Sequence, residues 1–280
     1  MTPERTELRW SYEPKTFFEA PYRYNDTEHE LLIADGQVRA ILRTPQEPVD
    51  RNLLKGIDDR VQALFRVRQV LIHKTYQLSK MAIDRHAGSS KSVTVSAVGT
   101  SAGTSIGTTA SDVLIKDANG NVHDSKAQRI AEHTSLLDEI TPKIAASPLL
   151  KSLLESYGRA VNDPHDEFVH LYEIRDALSK DYGNDTNTRA ALKISKNEWS
   201  RFGLLTCDEP LEQGRHRGNH PVSRRQANQV ELQEVRNTPW RWIVAFARTL
   251  PSSRTSLQPS RRMLRAGVQF PHCMDVRGGR

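Results

Sequence analysis

Cysteine is all but absent. Cys207 and Cys273 are the only two in 280 residues, too few for a disulfide framework and too far apart for a CxxC redox or zinc pair. Long apolar runs are missing too. The longest uncharged stretch, Ser92 to Ser111, carries only four large aliphatic residues among Ser, Thr, Gly and Ala, a composition that cannot span a bilayer. The first ten residues, MTPERTELRW, mix acids with bases and hold no apolar core, so they do not read as a signal peptide. A cytoplasmic protein with no membrane partner is expected. Aromatic residues are scarce at 6%, yet 37% hydrophobic and 26% charged residues rule out full disorder.

Several familiar sites are excluded by what their patterns lack. The repeat GTSA-GTSI-GTTA over 99–110 is glycine-rich, but no GK[ST] follows it, so it is not a phosphate loop. The run DANGNVHD has its glycine at the fourth position from Asp117 and no closing Glu, which excludes a calcium loop. The first 125 residues offer no paired carboxylates, no nucleophile elbow and no cofactor fingerprint, and no cofactor is expected.

Lysine is the last absence. Residues 214–280 hold 13 Arg, no Lys and three acids, a net +10, whereas 147–213 is net −4 and 1–146 is neutral. The planar guanidinium fork suits bidentate phosphate contact, so nucleic acid enters as a candidate partner.

Periodicity divides the chain. Leu8 to Phe18 reads as strand broken by Pro14, and Glu30 to Leu42 as a hairpin turning at Asp35-Gly36. Val61 to Ile72 fits either period; the alternation of Val61, Ala63, Phe65 and Val67 favours a strand. Leu114-Ile115, Asn119-Gly120 and Val122 signal a second hairpin. From Asp124 the period becomes helical, with a stripe of Ile130, Leu137, Ile140 and Ile144 interrupted at Pro142. Ser147-Pro148 and Asp163-Pro164 each read as an N-cap followed by proline, and Ser195 to Glu198 as a capping box. A last helix is expected from about Gln226 to Thr249, kinked or broken at Pro239. The fold class is therefore α+β: a β-rich module over 1–125, a helical bundle-like module over 126–250, and a basic, disordered tail over 251–280.

One motif carries functional information. Arg215-His216-Arg217-Gly218-Asn219-His220 precedes the last long helix and fits R-x4-6-H. In motif and helical context the region over about 147–250 resembles the HEPN ribonucleases. The resemblance implies metal-independent RNA cleavage, in which a ribose 2′-OH attacks the adjacent phosphate, and a homodimer that joins two motifs. Arg215 and His220 would match the catalytic pair, with His216 assisting. The chemistry suits them: His exchanges a proton near neutral pH, and Arg stabilises charge on a phosphate oxygen. Glu173, polar on an otherwise apolar helix, is the expected supporting residue, and Arg217, Arg224 and Arg225 are expected nucleic-acid contacts. No metal site is expected, because Gly218 and the lack of a following Glu disfavour zinc at His216 and His220. Other readings fit the same residues. The motif can be a basic loop whose Arg caps an acidic helix end near Asp208 and Glu209. The helical module can be a non-catalytic interaction or dimerisation unit beside a β-rich recognition module. The Arg-rich end can also bind nucleic acid without specificity. Trp240, Trp242 and Phe246 suit either an RNA-stacking platform or the core.

Overall fold

Alternation in RTELRWSYE builds the first strand, β1 (Arg5–Glu13), with Thr6, Leu8, Trp10 and Tyr12 buried on one face. The structure is a computed structural model that describes residues 5–43, 50–87, 90–94, 114–116, 122–215 and 224–251. β2 (Tyr22–Asn25), β3 (His29–Ala34) and β4 (Gln37–Leu42) follow. β3 and β4 pair antiparallel from His29 opposite Leu42 to Ala34 opposite Gln37. Asp35 and Gly36 turn the hairpin with φ of 52° and 80°, the left-handed angles for which Asp-Gly is suited. With β6 (Ala82–Ala87) and β7 (Ser90–Thr94) the sheet order is β2-β3-β4-β1-β6-β7, and β5 (Gln77–Leu78) pairs with the end of β1. β8 (Leu114–Lys116) and β9 (Val122–Asp124) form the second hairpin; its Asn119-Gly120 turn and the 99–110 repeat lie outside the described residues.

The segment that alternates like a strand is a helix, α1 (Arg51–Ile72). The expectation fails because α1 is buried on more than one stripe. Ile57, Val61, Ala63, Leu64, Phe65, Val67, Arg68, Gln69 and Val70 are all buried, so apolar residues fall at both periods. Asp58 and Phe65 reach the sheet at Trp10 and Tyr12, while other parts of the helix pack on α2 (Ser125–Ile144) and α3 (Pro148–Asn162). The buried side chains of sheet and helices thereby form one cluster.

Of the later helices, all but the one that opens at Glu167 start on a side-chain cap. Asp124 accepts from Lys126 and Ala127, and Ser147 from Leu150. Pro142 does not interrupt α2, which runs on through it to Ile144 with Thr141 and Ile144 buried. α4 (Glu167–Asp181) opens three residues later than Asp163-Pro164 suggests: the Asp163 carboxylate accepts from the Asp166 N–H and closes a turn first. α5 (Asp185–Leu192) is capped by Asn184, and α6 (Lys196–Gly203) by Ser195, which accepts from the Glu198 N–H. The Glu198 carboxylate reaches instead to Trp242 and Arg241.

The last helix, α7 (Gln229–Thr249), runs through Pro239 unbroken. A proline removes one helical donor and crowds the carbonyl a turn earlier. Here Thr238 Oγ1 donates to the Glu234 carbonyl (2.8 Å) and the Tyr157 hydroxyl to that of Arg236 (3.3 Å), so neighbouring acceptors find other partners. A full capping box starts α7: Asn228 accepts from Val230 and Glu231, and Glu231 accepts from the Asn228 N–H. Asn228→Ala is expected to cost about 1 kcal/mol, a fall of roughly 2–4 °C in a thermal melt followed by circular dichroism. An unchanged melting temperature would show that Glu231 holds the helix start alone. Among the described residues no helix is long and apolar enough to cross a membrane. The tail expected over 251–280 lies outside the described residues from 252 onward.

Candidate functional site

Tyr172, Arg175 and Asp176 lie on neighbouring turns of α4, close enough in sequence to share one side of the helix. Arg175 is mostly buried, at 15% exposure, and donates to Asp185 (2.9 Å). Its guanidinium lies 4.9 Å from the ring centre of Trp199 and 5.3 Å from that of Tyr172. Burial alone would raise the Asp185 pKa. Hydrogen bonds from Ser179 and Trp199, with Arg175, outweigh it and hold the carboxyl below the usual range. Gly203 ends α6 against this group, and a Cβ there would collide with Arg175 Nη1. A π turn (Leu204–Asp208) continues the chain, a backbone form often found at functional positions.

Arg215 is fixed to that turn. Its backbone N–H donates to the Thr206 carbonyl (2.8 Å). Its guanidinium donates to Asp176 (3.1 Å) and lies 4.8 Å from the Tyr172 ring centre. The side chain is 43% exposed, so two arginines share one tyrosine and the outer one faces solvent. The acidic partner is on α4, not at Asp208 or Glu209. Beneath lies Cys207, whose thiol is pushed up by burial despite Thr206, Tyr172 and Arg215, which makes it a poor nucleophile. Tyr172 is likewise raised, chiefly by burial, and keeps its proton.

The two ends of the motif segment are tied together. Leu211 bridges to Arg225; the Arg225 N–H donates to the Pro210 carbonyl (2.9 Å) and the Glu212 N–H to the Arg225 carbonyl (3.0 Å). The Arg225 guanidinium forks onto Glu231 with two bonds of 2.7 Å, and this pairing helps hold Glu231 down to about 2. Arg225 thus serves the start of α7. Arg224 beside it is exposed. His216, Arg217 and His220 lie outside the described residues.

Glu173 is half-exposed and belongs to another face of α4. It accepts from Ser156 (3.0 Å) and Arg159 (3.0 Å) on α3. Trp242 and Phe246 are buried and Trp240 is partly so, which makes them core. The sequence did not reveal a buried charged network at the joint of α1, α3, α4 and α7. Glu167 accepts from Arg236 at 2.6 and 2.8 Å and lies 3.2 Å from His73 Nε2, while His73 Nδ1 meets the Tyr157 hydroxyl at 3.2 Å. The only sequence signal was an acid in a first helical turn. No protein-family model, curated protein or solved structure matches the chain.

Proposed function

We propose that the protein binds RNA through a HEPN-like helical module and cleaves it without a metal, with Arg215 and His220 as the reacting pair. The observation that carries this reading is the mounting of Arg215. It is pinned through its backbone, stacked on Tyr172 beside Arg175, and still open to solvent. A guanidinium so held can meet a phosphate with little loss of side-chain freedom. Arg224 is exposed beside Arg225, whose backbone is bridged to Leu211, and offers a second cation. In the cleavage step the ribose 2′-OH attacks the adjacent phosphorus and gives its proton to His220. The 5′-oxygen leaves as the P–O bond breaks and takes up a proton from solvent, and a 2′,3′-cyclic phosphate remains. His216 would assist, and a homodimer would bring two such pairs together. Asp176, rather than Glu173, orients Arg215.

The test is a labelled single-stranded RNA incubated with the full-length protein in EDTA, with binding read by anisotropy and products on a sequencing gel. Wild type is expected to bind with steep salt dependence and to leave cyclic-phosphate ends. His220→Ala should remove cleavage and keep binding, while Arg215→Ala should weaken binding about 10–100-fold. Binding without cleavage would leave the binding half alone, and absence of binding at low salt would overturn both.

A further inference from the structure

We infer that the β2–β3 hairpin is a binding site for one divalent transition-metal ion, held by Asp26, Glu28 and His29. The inference is independent of the RNA reading. The strand register puts His29 on the inward face with Leu31 and Ile33, where it is only 2% exposed. Neither ring nitrogen has a hydrogen-bond partner. A buried imidazole without partners is rare in folded proteins, and a missing ligand is a standard reason for one. Asp26 Oδ1 lies 3.2 Å from His29 Nδ1 without making a hydrogen bond. One ligand atom from each of Asp26, Glu28 and His29 lies within 4.8 Å of the others. Neighbouring ligands on an ion with bonds of about 2.0–2.2 Å sit roughly 3 to 3.5 Å apart. The histidine–aspartate spacing already meets that, and Glu28 is exposed and free to swing inward.

The backbone of the hairpin is set before any ion arrives. Asp26 Oδ1 accepts from the N–H groups of Glu28 and His29, both at 2.8 Å. The Asp26 N–H donates to the His29 carbonyl (3.1 Å), and Arg43 bonds the carbonyls of Asp26 and Glu28. One imidazole with two carboxylates suits zinc, manganese or ferrous iron better than calcium, which prefers oxygen alone. Two cations stand close: Arg60 lies 3.9 Å from the Tyr24 ring centre, and Arg43 pairs with Glu30. They weaken the site, so an exchangeable ion is expected rather than a structural one.

The test titrates the full chain with zinc chloride, and separately with manganese chloride, in a calorimeter. One ion per chain is expected for zinc. Glu28→Gln, an exposed substitution that leaves the fold intact, should weaken binding at least tenfold, and His29→Gln should remove it. A His216→Ala/His220→Ala double variant should bind as wild type does. Absence of binding at millimolar zinc overturns the site, as does binding unchanged by Glu28→Gln or lost in the double variant.

Discussion

Replacing Arg236 with Met is expected to cost about 3 kcal/mol of folding free energy, measured by urea denaturation. Glu167 is 1% exposed, and both its oxygens accept from Arg236. Breaking a buried ion pair from one side leaves a charge without water or partner, at a typical cost of about 3–5 kcal/mol. The lower figure applies because the Arg236 side chain is 26% exposed and His73 remains beside the carboxylate. The pH dependence has a definite sign. Burial alone would raise the Glu167 pKa, but bonds from Arg236 and His73 outweigh it and leave the carboxyl below its ordinary value. This stabilisation is therefore present above the unfolded Glu value of about 4.3 and is lost as the pH falls through the folded one. Without Arg236 burial dominates and the folded pKa rises, so the variant loses stability as the pH rises from about 4.3. The gap between wild type and variant must then narrow toward pH 4. A gap constant from pH 4 to 7 would show that Arg236 acts through packing alone. Adding Glu167→Gln to Arg236→Met should recover much of the loss.

What was legible in the sequence is what local chemistry decides. Asp35-Gly36 requires left-handed angles, and Ser147-Pro148 and Ser195 supply caps, so those elements formed where they were expected. What was not legible depends on distant partners. α1 hides its period because it is buried on several faces, and Glu167 is buried only because His73 and Arg236 meet it. The site divides the same way. Arg215 stands out by its spacing to His220, but polarity on α4 points to Glu173, whereas Asp176 is the acid that meets Arg215. Three residues apart, these two acids lie about 60° apart around a helix. That is enough for one to face Arg159 and the other Arg215. Nothing in the local pattern marks Asp26, Glu28 and His29; the register of β3 is what carries His29 into the interior.

Phe65→Ala should cost about 3–5 kcal/mol of folding free energy. Phe65 is fully buried in α1, with ring centres of Tyr12, Phe17, Phe18 and Tyr76 between 5.1 and 5.5 Å away. Truncation opens a cavity among four aromatic rings and removes two edge-to-face contacts and one stacked contact, each worth about 0.5–1.5 kcal/mol beyond area burial. Phe65→Leu fills most of that space and should cost far less. The pair of variants also tests whether sheet and helices fold as one unit. α1 meets the sheet through Phe65 and Asp58 and meets α2 and α3 elsewhere, so strain on Phe65 must be shared by both parts. Far-ultraviolet circular dichroism follows mainly the helices. Fluorescence follows Trp10 in β1 together with Trp199, Trp240 and Trp242 in α6 and α7. In urea the two signals are expected to shift to lower concentration together in Phe65→Ala, with one midpoint. Two separated midpoints would mean that the helices hold without the sheet, and that α1 belongs energetically to the bundle rather than joining it to β1.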